Sequence, residues 1–175
     1  SARGRPGSTP SELTIRSAQV TMVDLREYLA TQGQERCRAF IIHAPAMEHK
    51  TALARRMRDE LGGYLLDLQA YFLEHAELAE RIDRFRPDDL EELLLGLDVP
   101  ERIVVVDNVD FLLNTWTNKR LGEFVGMVDL RLKSPDTTAK TFVFVVQTNP
   151  VLLRQELKNS RGQPRILSRE AFYAL

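Results

Sequence analysis

The sequence is short of several things, and each shortage excludes something. It has a single cysteine, Cys37, so no internal disulfide and no cysteine-based metal site can form; a buried apolar filler in a reducing cytoplasm is the expected role. It has no apolar run near the roughly 20 residues needed to span a bilayer, so no membrane span is expected. The N-terminus lacks the apolar segment of a signal peptide. Charge of neither sign dominates: 24 Lys and Arg against 25 Asp and Glu leave a net of -1, which gives no global attraction to nucleic acid or membrane, local patches apart. His43, His49 and His75 show no metal-ligand spacing, and no Ser/His/Asp arrangement stands out.

What is present suits one domain with a substantial core, since 175 residues with 43% hydrophobic content can bury enough surface. Residues 1–17 begin SARGRPGSTPS and read as a flexible tail: an expression remnant, a linker or a basic arm. Residues 18–175 form the domain. Helical spacing of Val20, Val23, Leu25, Tyr28 and Leu29 predicts a helix that Gly33 ends. Short apolar runs predict strands over 39–43, 64–68, 103–106, 141–146 and 165–167. Amphipathic helices are expected over 51–61, closed by Gly62-Gly63, then over 70–82, 86–95, 119–132 and 151–158. Strands alternating with helices imply right-handed crossovers and a parallel sheet with helices on both faces. Ligands of such sheets bind beyond the carboxyl ends of the strands. The polar clusters at 44–51, 107–110 and 147–149 all fall there.

The first cluster, Ala44-Pro45-Ala46-Met47-Glu48-His49-Lys50-Thr51, follows a strand and opens a helix. That is the layout of a phosphate-binding loop, in which backbone N–H groups and a helix N-terminus cradle phosphates. Lys50 would then neutralise phosphate charge and Thr51 would ligate Mg²⁺. Glycines normally give such a loop its backbone freedom, and here there are none. An ordinary strand–helix turn is the competing reading.

Asp107 directly follows Ile103-Val104-Val105-Val106 and is placed to hold Mg²⁺; its alternative role is a strand-end turn-former. Asn108 stands where a base is needed, and an amide cannot accept a proton, so hydrolysis is expected to be slow. Asp110 is read as a helix cap or a substitute carboxylate. Thr148 and Asn149 either bond a phosphate or attacking water, or simply start a turn and helix. Arg161 and Arg165 either reach a phosphate in a neighbouring subunit or are solvated. Trp116 is read as an exposed anchor or a core residue.

In their order along the chain these segments resemble a known family. APAMEHKT is similar to the GPAGSGKT form of the Walker A motif, and IVVVDNVD resembles a Walker B of the AAA+ and related ASCE ATPases. Thr141–Asn149 looks like their sensor 1 strand, and Arg161 falls near their arginine-finger loop. The resemblance covers about residues 36–168. It implies a three-layer α/β/α P-loop fold with a parallel five-stranded sheet in the order 5-1-4-3-2 and no C-terminal helical lid. Among lidless members the chain looks most like the single-domain P-loop component of some BREX phage-exclusion systems. The resemblance implies ATP and Mg²⁺ as ligands. It also implies self-association or a larger protein complex, and DNA reached through that assembly; the cytoplasmic setting is expected from the lone cysteine and the lack of a long apolar run. The implied nucleotide site comprises Ala44 to Thr51, with Thr51 and Asp107 on the metal and Asp107, Asn108, Asn149 and Arg161 in catalysis. A non-enzymatic scaffold that has lost its nucleotide is the alternative.

Overall fold

The computed structural model describes residues 22–46 and 49–172. The tail over 1–17, and Met47 and Glu48 of the loop, lie outside the described residues. In chain order the elements are α1 (Leu25–Gln32), β1 (Phe40–Ala44), α2 (Lys50–Leu61), β2 (Tyr64–Asp67), α3 (Leu68–Glu74), α4 (Ala76–Ala79) and α5 (Pro87–Leu95). There follow β3 (Ile103–Asp107), α6 (Asp110–Thr115), α7 (Asn118–Gly126), β4 (Thr141–Gln147), α8 (Pro150–Leu153) and β5 (Ile166–Ser168).

The five strands make one parallel sheet in the order β2-β3-β4-β1-β5, which is 5-1-4-3-2 read from the other edge. The central strand is β4, in which Thr141 to Val146 are all buried. Both faces are covered, which is why its sequence is a continuous apolar run with no alternation. On one face Phe40, Ile42, Val105, Val143 and Val145 pack against Leu25, Tyr28 and Leu29 of α1 and Leu53, Ala54 and Met57 of α2. On the other, Ile41, Val104, Val106, Phe142 and Phe144 meet α3, α5, α6 and α7. None of the helices among the described residues is long and apolar enough to cross a membrane.

Local chemistry sets most element ends. Asp24 caps α1 by accepting the Glu27 N–H at 2.9 Å. Gly62, at φ 61°, supplies the left-handed residue that closes α2. Asp89 reaches back to the Arg86 N–H at 2.7 Å at the start of α5.

Four expected helices differ. The first begins only at Leu25, since Asp24 caps it and Val23 instead bridges Phe172; Val20 lies outside the described residues. The one over 70–82 breaks at His75, which leaves helical geometry with φ -119° and ψ 86°; its Nδ1 lies 2.8 Å from the Tyr71 carbonyl oxygen. The one over 119–132 widens into a π turn at Met127–Arg131, where the buried Arg165 side chain takes the Val128 carbonyl at 2.7 Å. The one over 151–158 stops after Leu153, because Leu157 instead accepts the Arg165 N–H at 2.7 Å and Lys158 bridges Pro164. Helix α6 had no periodic signal, being a single six-residue segment. Trp116 is a core residue: it is buried and its indole N–H donates to the Phe85 carbonyl at 2.8 Å. Cys37 is half-buried and free.

Candidate functional site

The carboxyl ends of β1, β3 and β4 bring the three polar clusters together. In register, Ala44 of β1 lies beside Gln147 of β4, and the Thr148 N–H donates to the Ala44 carbonyl at 2.8 Å. Ala44 is fully buried as the last rung of β1, whereas Pro45, Ala46 and His49 are exposed. His49 stands at the N-cap of α2 and its side chain makes no cap bond.

Lys50 and Thr51 occupy that first turn. The Lys50 ammonium is ion-paired with the Asp110 carboxylate, each side chain being 16% exposed. The second oxygen of Asp110 accepts the Gln147 N–H at 2.7 Å. Asp110 therefore caps no helix: Val109 holds the N-cap position of α6, and the carboxylate ties α2 and β4 together instead.

Asp107 is the other carboxylate at this end of the sheet, and its situation is the opposite. It is fully buried; the Asn108 backbone N–H and the Thr51 hydroxyl approach its oxygens, but neither completes a hydrogen bond of good geometry. Burial pushes its pKa above the usual carboxylate range; the Asn108 backbone N–H, the Thr51 hydroxyl and the Lys50 charge pull back, and Asp67 on the adjacent strand pushes up. Asn108 follows at φ 55°, a left-handed conformation that Asn tolerates better than most residues.

On the other face of the sheet end, His43 Nδ1 lies 3.0 Å from the Thr148 hydroxyl, and burial lowers the imidazole pKa. Sequence reasoning missed this pair, because His43 sits inside an apolar strand run with no partner near it in sequence. Asn149 acts as a helix cap, its side chain accepting the Val151 N–H at 2.8 Å.

The two arginines part company. Arg161 is exposed in the loop before β5, at the amino edge of the sheet, and bonds Gln34 Oε1 at 3.3 Å. That edge is opposite the Lys50 cluster, so Arg161 can serve such a site only in another copy. Arg165 is 2% exposed and donates to the Ala39 and Val128 carbonyls and to the Asp129 carboxylate, the last at 2.7 Å. It is a structural clamp and cannot reach a neighbour.

The set that converges is thus Lys50, Thr51, Asp107, Asn108 and Asp110, with the His43–Thr148 pair on the opposite face of the same sheet end. Its donor types suit a phosphorylated ligand with a hard cation. Among the described residues no group of three or more His, Cys, Asp or Glu could hold a metal alone. A Mg²⁺ here would take Thr51 and Asp107 and need phosphate oxygens and water for the rest of its shell. The unpartnered Asp107 carboxylate, close to the Thr51 hydroxyl, fits that demand. A separate groove of about 360 Å³, lined by Tyr71, His75, Leu78, Arg81 and Leu97, lies among α3, α4 and α5 and contains none of these residues. The sequence matches no protein-family model and no curated protein.

Proposed function

We propose that the chain is an AAA+-like P-loop domain that binds Mg-ATP conditionally, with slow hydrolysis or none. On this reading it works in a cytoplasmic multi-subunit assembly, associated with DNA and of the phage-defence type its motifs resemble. The observation that carries the reading is Asp107: a fully buried carboxylate without a hydrogen-bond partner, facing the first turn of a helix whose Lys50 and Thr51 are the residue types that bind phosphate and Mg²⁺. Natural folds rarely leave a buried charge unpaired unless something else completes it. Asn108, in place of a proton-accepting carboxylate, supports slow turnover. Exposed Arg161, at the far edge of the sheet, supports a role across a subunit contact.

The test is a melting-temperature titration of Mg-ATP against the wild type and Lys50→Ala. A rise confined to the wild type supports the reading. Equal shifts, or none in either protein, refute it. The second reading, a scaffold of the same fold without nucleotide, is favoured by the Lys50–Asp110 ion pair, which already neutralises the one lysine of the loop. It requires oligomer size by light scattering to be indifferent to Mg-ATP, where the first requires a change.

A further inference from the structure

Lys50 is the cation on which the proposed phosphate site depends, and in this fold it already has an anionic partner. Asp110 gives one oxygen to the Lys50 ammonium and the other to the Gln147 backbone N–H, at 2.7 Å for the latter. That backbone donor belongs to the last residue of central strand β4, so the carboxylate is held by a part of the sheet that cannot swing away. Asp107 offers a second carboxylate at the same end of the sheet, unpartnered, yet the ammonium rests on Asp110.

Resting on the P-loop reading above, we propose that Asp110 is a positioning residue that competes with nucleotide phosphate for Lys50, so that nucleotide binds fully only once Lys50 has exchanged partners. The exchange is chemically plausible in both directions. A triphosphate brings more charge and more acceptor oxygens than one carboxylate, and the first turn of a helix favours anions. Against it, the exchange strips Asp110 of its cation and leaves a half-buried carboxylate facing the incoming negative charge. Apparent affinity falls by the fraction of molecules in which Lys50 is free, so a contact closed about nine-tenths of the time weakens binding about ten-fold. Linkage makes the effect reciprocal: anything that draws Asp110 away from Lys50 promotes nucleotide binding, and bound nucleotide weakens the Lys50–Asp110 contact.

The experiment uses Asp110→Asn, which retains an acceptor for the Gln147 N–H while removing the charge that holds Lys50. It is compared with wild type, Lys50→Ala, the double variant and a charge control, Asp67→Asn. Asp67 ends the neighbouring strand opposite Asp107 and caps α3 through the Ala70 N–H at 3.1 Å, a duty Asn performs equally well, and it does not touch Lys50. Calorimetric titration with Mg-ATP and ligand-free melting are both measured. The expected result is a lower ligand-free melting temperature for Asp110→Asn together with Mg-ATP binding tighter by about ten-fold. The tightening should vanish in the Lys50→Ala background and be much smaller in Asp67→Asn. If wild type binds and Asp110→Asn binds no better, the competition is refuted while the P-loop reading stands. Equal tightening in the Lys50→Ala background or in Asp67→Asn also refutes it, since that is general charge repulsion. If neither wild type nor Asp110→Asn binds, the P-loop reading falls and the competition falls with it.

Discussion

Replacing Asp107 by Asn should make the protein more stable and less responsive to Mg-ATP at the same time. The carboxylate is fully buried and neither oxygen has a hydrogen-bond partner. A buried acceptor left unsatisfied costs about 1–3 kcal/mol, with charged groups at the upper end or beyond. The asparagine keeps the shape and an acceptor oxygen for the Asn108 N–H and Thr51 hydroxyl while removing the charge that burial disfavours, so a gain of about 1–3 kcal/mol is expected, or roughly 3–9 °C in melting temperature for a domain of this size. The pH dependence gives an independent check. Burial raises the folded-state pKa of Asp107 above its ordinary value. The folded state therefore binds this proton more tightly than the unfolded state, and stability falls as pH rises from the ordinary carboxylate range through the raised value. Each unit of such elevation removes about 1.4 kcal/mol at neutral pH. The advantage of Asp107→Asn should accordingly grow with pH across that window and then level off. With Mg-ATP at about 100 times its Kd the wild type gains about 2.7 kcal/mol, and the variant, lacking the metal ligand, gains much less. Differential scanning calorimetry in EDTA and in Mg-ATP, from pH 4 to 8, reads all of this. A variant that melts below wild type without ligand would show that Asp107 has a structural partner, and the reasoning would fail.

Arg165→Met should cost about 3–5 kcal/mol in urea unfolding, because it strands the buried Ala39 and Val128 carbonyls and leaves the Asp129 carboxylate unpaired. Arg161→Ala, at an exposed loop position, should change stability by less than about 0.5 kcal/mol in the same assay. Asn108→Gly should be near neutral, whereas Asn108→Val should lose roughly 1–2 kcal/mol, since φ 55° is left-handed and a β-branched side chain resists it. His43 has its pKa lowered by burial, so the unfolded state takes up this proton first and stability drops as pH falls below the ordinary imidazole range. Chemical denaturation of His43→Gln at pH 7.5 and 5.5 should show a smaller acid-induced loss than wild type; an equal loss would place the acid sensitivity elsewhere.

The sheet was legible because its interior strands are buried on both faces. Ile103-Val104-Val105-Val106 and Phe142 to Val146 have no polar interruption, and only a covered parallel sheet asks for that. Lys50, Thr51 and Asp107 were legible as a set because each directly follows or opens an element of that sheet, where the sequence pattern itself changes from apolar to polar. The pairing of Lys50 with Asp110 was not, since 60 residues separate them and both Asp107 and Asp110 stand at the end of the same strand run. Which carboxylate meets the lysine depends on the turn at Asn108, whose left-handed backbone redirects the chain before α6 begins. Arg165 misled for a different reason. An arginine beside a loop reads as solvated, and nothing local reveals that carbonyls from β1's approach and the π turn will surround its guanidinium.

The first of the missing glycines is less damaging than the sequence makes it look. Ala44 replaces the first of them, yet it is the last rung of β1, fully buried and paired with Gln147, in extended backbone where any small residue fits. His49 replaces another, with its side chain exposed and its backbone at φ -42° and ψ 62°, outside the main α and β regions. Ala44, at least, holds a position that does not ask for glycine's freedom. What glycine would add at these points is closer approach by a ligand, a matter of affinity and not of folding. The stronger obstacle to phosphate is then the one that the motif comparison could not register: a lysine already held by Asp110, which is itself anchored to the centre of the sheet. An obstacle of that kind is reversible, because it consists of an exchange of partners. On the P-loop reading, a domain whose metal-type carboxylate is open and whose lysine is held by Asp110 waits on a second event.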